Sequence, residues 1–182
     1  MDPVSYKLIA TLFGVGVTLH NLEEAMFLVS WSRAHLKLPF TQNAKIYWVV
    51  TSLVSLAVWG SILGVRVWPQ SSNLQSVLSG IALVMAVNAL LPHLVISAVK
   101  RSYSPGTGTG MLFNLPLGVW LIHEQLSAHV ISAADLWRRA APYGILMAVG
   151  AFGFLFGAHA IAARKRSGVR HGDAPVLTNR SG

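Results

Sequence analysis

Apolar side chains run through this chain in five long stretches, at about Tyr6–Val29, Ile46–Val67, Leu74–Val99, Met111–Val130 and Pro142–Ala163. Each holds roughly 20 residues or more, and at 1.5 Å per residue such a helix crosses about 30 Å of hydrocarbon. The pattern predicts an all-α bundle of about five transmembrane helices. Breakers fall between the runs: Pro39 in the first connection, Trp68 to Asn73 in the second, Ser104 to Gly110 in the third, and Pro142 at the first turn of the last helix. The fourth run is the most interrupted, by Asn114, His123, Glu124, Gln125 and His129. The first run is read as a retained helix and not a signal peptide. Its start carries Asp2 and a single Lys7, and no small-residue cleavage site follows it. After Ala163 the chain turns to Arg164-Lys165-Arg166 and then to a polar, Gly-containing remainder. The expected organisation is a membrane domain over residues 1–166 and a disordered cytoplasmic tail over 167–182.

Composition agrees with the pattern. Of 182 residues, 53% are hydrophobic and 11% charged, whereas soluble domains run near a quarter charged. The mean hydropathy is +0.55. Five spans use up most of the length and leave no room for a soluble catalytic domain. The absence of cysteine excludes thiolate metal sites and cysteine nucleophiles. The net charge of +8 sits in short clusters between apolar runs, which is the pattern of an oriented membrane protein and not of a nucleic-acid groove. The bilayer is therefore the expected partner, and no nucleic acid is. With five spans, Lys7, Arg66, Arg138 and Arg139 share one side. Arg33, Lys37, Lys45, Lys100, Arg101 and the basic tail share the other. The richer side is expected to be cytoplasmic, giving an N-out, C-in topology in a plasma (inner) membrane if the source is bacterial. Trp31 and Trp48 then mark the inner interface, and Trp68 and Trp137 the outer.

The informative residues are those that a membrane helix normally excludes. An ionised carboxylate at mid-bilayer costs roughly 2.5–3.5 kcal/mol even on the lenient insertion scale, and the first run carries two in His20-Asn21-Leu22-Glu23-Glu24. At 100° per residue, Glu24 falls about 40° from His20 and Glu23 about 60° on the other side. All three share one arc, with Gly16 one turn earlier leaving space for a neighbouring helix. Imidazole and carboxylates at this spacing can hold a divalent metal, or form a base with its orienting partner. The plainer reading is an interfacial pair of glutamates reaching Arg33 or Lys37. In the third run, His93 follows Ala82, Ala86 and Ala89 on a small-residue stripe that belongs against another helix. Pro92 frees the carbonyl of Asn88 and kinks that helix. His93 lies about 9 Å from its helix end, the depth of Glu23 and Glu24, and Asn88 and His20 lie about 15 Å in. Asn88, His123, Glu124 and His159 are further candidates for the same site. His123 and Glu124 point 100° apart, so at most one faces it.

His20-Asn21-Leu22-Glu23-Glu24 reads as H-x-x-E-E, His93 is a single later histidine, and Tyr103-Ser104-Pro105-Gly106 reads as Y-x-P-G. In that order these elements resemble the HXXEE family of membrane proteins. The resemblance implies functional roles for His20, Glu23, Glu24 and His93, with Tyr103, Pro105 and Gly106 as a gating or structural turn, and implies no activity. Turn chemistry alone reads Pro105 and Gly106 as the centre of a tight connection. The chemistry expected of the residues is a divalent-metal-dependent membrane enzyme, a hydrolase or oxygenase. His20, Glu24 and His93 would be ligands to zinc or iron and Glu23 the general base or a supporting group, with a lipid-like or other hydrophobic substrate entering from the inner leaflet. The alternative is an ion or proton transporter or relay using the same residues.

Overall fold

A computed structural model describes residues 3–36 and 43–172, with side chains for 5–36 and 43–162. Lys37, Pro39, the side chains of Arg164, Lys165 and Arg166, and the tail from residue 173 lie outside the described residues. Among the described residues the chain forms five helical rods: α1 over residues 3–35, α2 over Ala44–Val67, α3 over 72–100, α4 over 107–127 and α5 over 133–172.

Local chemistry sets the ends. The Asn43 side chain accepts the Lys45 N–H at the start of α2, and the Ser71 side chain accepts the Leu74 N–H at the start of α3, each satisfying a donor that the helix leaves unpaired. Arg101, at φ 49°, terminates α3, and His129, at φ 53°, follows α4. The last helix begins well before the Pro142 predicted as its first turn. Ser132 and Asp135 form a capping box, so Trp137, Arg138 and Arg139 are helical and not part of a loop. The helical backbone of α5 also continues past Arg166, to Gly172.

Four of the rods widen into π turns, at Glu24–Leu28, Ala89–Leu94, Gly110–Asn114 and Leu136–Ala140. The second contains Pro92, and Leu91 before it leaves helical geometry at φ −123°, ψ 102°. A proline supplies no N–H to the preceding turn and its ring crowds it, which opens the helix at this point as expected.

The rods pack around a core that includes Phe13, Val17, Val58, Ile62, Leu78, Ala82 and Leu121. Small residues let backbones approach. A Cβ on Gly80 would collide with the carbonyl of Ala140, and one on Gly144 with that of Gly80, so α3 and α5 cross nearly backbone to backbone. Gly16 faces Phe113 of α4, and Ala82, Ala86 and Ala89 lie against Gly118 and Gly110 of the same helix. The small-residue stripe of the third run therefore does seat another helix.

Outward, the surface is apolar. Leu56 of α2 is 67% exposed and Leu146 of α5 68%. Four helices, Ser5–His35, Ala44–Val67, Ser72–Lys100 and Ala133–Ala162, are long and apolar enough to cross a membrane. Helix α4 is not among them, because Asn114, Glu124, Gln125 and its glycines lower its hydropathy.

Candidate functional site

Three of the π turns meet at one end of the bundle, and the polar residues of the sequence motifs meet with them. Inserting one extra residue in a turn rotates the side chains that follow and breaks the helical ladder locally, which is why such turns recur at functional sites. Glu24 opens the turn in α1, His93 lies in the turn of α3, and Gly110 begins the turn of α4.

His20 is fully buried and His93 is 3% exposed. Their rings meet edge to face, with centroids 5.0 Å apart. Glu24 Oε1 sits between them, 2.8 Å from His93 Nε2 and 3.6 Å from His20 Nε2. One ligand atom from each residue lies within 4.8 Å of the others. Three nitrogen and oxygen ligands held at about 2.1 Å around a tetrahedral ion lie about 3.4 Å from one another, so the cluster fits such an ion with sub-ångström to ångström movements. His93 Nε2 is buried, with Glu24 Oε1 2.8 Å away. An imidazole nitrogen and a carboxylate oxygen this close share a proton when no ion is bound, and a divalent cation can take the place of that proton between them.

Asn88 joins the cluster, its side-chain nitrogen 3.2 Å from His20 Nε2. Glu23 does not touch the imidazoles. It accepts hydrogen bonds from Thr109 Oγ1 at 2.6 Å and from the Tyr103 hydroxyl at 2.5 Å, and Thr109 Oγ1 lies 3.3 Å from His20 Nδ1. Partial burial, and then the bond to Glu23, push the Tyr103 phenol above its ordinary value, so it remains a donor at neutral pH.

The Y-x-P-G turn lies directly over the rings. Gly106 has φ +92°, and a Cβ there would stand 2.6 Å from His93 Cε1 and 2.9 Å from His20 Cε1. Glycine is required twice, by the left-handed backbone and by the closeness of the imidazoles. Ser97 and Thr107 hold the turn down: Ser97 Oγ accepts the Ser104 N–H at 2.9 Å and pairs with Thr107 Oγ1 at 2.8 Å.

Three sequence candidates lie elsewhere. His123 is exposed and 3.5 Å from Ser127, and Glu124 accepts the Trp120 indole N–H at 3.1 Å. His159 is buried, with Nδ1 2.7 Å from the Leu155 carbonyl and Nε2 accepting the Asn43 N–H at 2.9 Å. It pins the start of α2 to α5 and has no ring nitrogen left for the cluster. Conversely, Thr109 enters the site without having been a candidate, since a threonine in a Gly-rich stretch carries no signal of its own.

Beside the cluster opens a cavity of about 230 Å³ between α1, α2, α3 and α5. Glu24, His93 and Asn88 are among its polar lining, and Val50, Val54, Met147, Phe152 and Leu155 among its apolar lining. At the far end of the bundle lies a second, separate polar network. Tyr6 donates to Gln75 Oε1 at 2.6 Å, Gln125 donates to both, and Ser79 donates to Gln125 Oε1 at 2.5 Å.

A family model described as a protein of unknown function with HXXEE motif matches residues 11–121, a stretch holding His20, Glu23, Glu24, His93, the Tyr103–Gly106 turn and Thr109. The chain is also 30% identical over 137 residues to the uncharacterized protein YrkK of Bacillus subtilis (strain 168), covering 74% of this chain and 85% of that one. No solved structure matches the chain.

Proposed function

The chain belongs to the HXXEE family, and we propose that His20, Glu24 and His93 hold one divalent metal in an intramembrane site that acts on a hydrophobic substrate. The observation that carries this reading is the convergence of the three ligand atoms within 4.8 Å of one another, with the buried Nε2 of His93 2.8 Å from Glu24 Oε1. Zinc and iron both suit two imidazoles and a carboxylate. A bound ion would supply Lewis acidity toward a carbonyl or comparable oxygen. The chain's own residues do the rest. Asn88 donates toward the His20 edge of the site, the Gly106 turn covers both rings against water, and the apolar wall of the neighbouring cavity receives a lipid-like chain while Glu24 and His93 face its polar end. Glu23 acts from behind His20 and not as the base that touches substrate.

In the bilayer, α4 is taken as the fifth span because it packs along α1 and α3 with Gly16, Gly110 and Gly118 at the contacts. The distribution of Lys and Arg supports an N-out, C-in orientation in a plasma (inner) membrane, which puts the site toward the cytoplasmic leaflet. Elemental analysis of detergent-purified protein tests the metal reading. Near one equivalent of zinc or iron is expected in the wild type and a several-fold loss in His20→Ala. An equal, substoichiometric content in both overturns it.

One observation favours transport as a second reading. A proton or ion path needs polar groups in the outer half of the bundle, and Tyr6, Gln75, Ser79 and Gln125 supply them. Against it, the side chains buried between the two ends are mostly apolar, Phe13, Val17, Leu78, Ala82 and Leu121 among them, with Asn114 a polar exception. Proton or metal flux into liposomes, abolished by Glu24→Gln, would decide for transport.

A further inference from the structure

We infer that Thr109 and Tyr103, with Glu23 between them, are positioning residues that hold His20 in a single tautomer and so aim its Nε2 at Glu24 and His93. The inference rests on the metal reading for its purpose, but its geometry is independent of any ion.

The donors can be counted along the chain of contacts. An ionised Glu23 has only acceptors. Thr109 gives its one hydroxyl proton to Glu23 Oε2 at 2.6 Å, so toward His20 Nδ1, 3.3 Å away, it offers only a lone pair. Nδ1 must then carry the imidazole proton. In the neutral ring the lone pair is left on Nε2, which faces the Asn88 amide at 3.2 Å and Glu24 Oε1 at 3.6 Å. The other oxygen of Glu23 is held in turn by Tyr103, whose hydroxyl donates at 2.5 Å and accepts the Gly108 N–H at 3.1 Å. A Cβ on Gly108 would lie 2.6 Å from the Tyr103 oxygen, so a side chain there would push the tyrosine hydroxyl off Glu23. The bonds thus converge on Glu23, which accepts from the exposed Tyr103 on the connecting loop and from Thr109, while Thr109 in turn accepts from the fully buried His20 ring. In metal sites a carboxylate or carbonyl behind the histidine fixes which nitrogen ligates. Here a threonine hydroxyl is interposed, because Glu23 stands on the far side of the arc from Glu24. This also gives the two glutamates of the motif distinct roles: Glu24 faces the cluster, and Glu23 orders it from outside.

The test uses the full-length, metal-free protein in detergent micelles with ¹⁵N-labelled histidine, in alkaline buffer where the rings are neutral, and with His20→Ala to assign the signals. Wild-type His20 is expected to show the proton on Nδ1. Thr109→Val, which keeps the volume and removes the hydroxyl, is expected to shift His20 toward the other tautomer or a mixture, whereas Thr109→Ser restores the wild-type pattern. Tyr103→Phe, at an exposed position, should leave the tautomer populations partly shifted. Titration with zinc alone should be weakened about 10–100-fold in Thr109→Val and rescued in Thr109→Ser. A wild-type ring protonated on Nε2, or a Thr109→Val spectrum unchanged from wild type, overturns the inference. A tautomer shift in Thr109→Val with no zinc binding in any variant upholds the positioning role and overturns the metal reading instead.

Discussion

Gly106 carries no functional group, yet it decides whether the two histidines can meet. Its backbone is left-handed, and a Cβ on it would collide with both rings. Gly106→Ala is therefore expected to cost about 1–3 kcal/mol from the backbone alone, and more if the rings shift to make room. A lowered Tm together with weaker zinc binding checks this, and wild-type values for both would contradict it. Glu24 and His93 offer a second prediction at this scale. Their atoms are 2.8 Å apart on different helices, so a thermal-stability double-mutant cycle with Glu24→Gln and His93→Ala should show a coupling of about 0.5–3 kcal/mol, whereas strictly additive effects would mean no shared site. His20, Glu24 and His93 were legible as site candidates because polar groups stood where lipid-facing residues belong, at matched depths on two helices. Thr109 was not legible. A lone hydroxyl in Thr107-Gly108-Thr109-Gly110 looks like loop composition until the fold brings it to His20. His159 was a candidate by residue type and placement in a span, and the fold instead ties it to the Asn43 N–H before α2 and to the Leu155 carbonyl of its own helix.

At the scale of helices, boundaries came from caps and the site came from irregularities. The apolar runs predicted the rods, since the length of hydrocarbon sets the length of a span. The start of α5 was misread from Pro142, while the signal lay in Ser132 and Asp135, whose side chains satisfy each other's backbone donors. Ser132→Ala should cost about 0.5–2 kcal/mol by removing that cap. A thermal melt measures it, and no change would mean that packing alone fixes the end. The kink at Pro92 was predictable because a proline has no N–H to give. The π turns at Glu24 and Gly110 were not, since nothing in those residues forbids an α-helix and the extra residue is accommodated by packing between helices. Gly80 is the reverse case, a small residue whose reason appears only when α5 lies on it. Gly80→Val is expected to separate α3 from α5 and to lower stability well beyond the Ser132→Ala change, because backbone atoms and not a flexible side chain occupy the space.

The described residues form a helical bundle with an apolar outer face and a buried polar network toward each end. If α4 crosses the bilayer as proposed, the loops after α2 and α4 share one side and the loop after α3 lies on the other. Cysteines at Ser72, Ser127 and Arg101, all exposed, report this directly. Ser72→Cys and Ser127→Cys should react with an impermeant thiol reagent from outside, and Arg101→Cys only after permeabilisation, while Ser127→Cys labelling from the same side as Arg101→Cys, opposite Ser72→Cys, would remove α4 as a span. The claim on which the functional account depends, however, is that one ion draws ligands from α1 and α3 together. X-ray absorption spectroscopy of the zinc-loaded protein measures that shell. The account predicts nitrogen and oxygen ligands at about 2.0–2.2 Å with the outer scattering of two imidazoles, falling to one in His93→Ala. A shell of oxygen alone, or an imidazole signal untouched by that substitution, would contradict it.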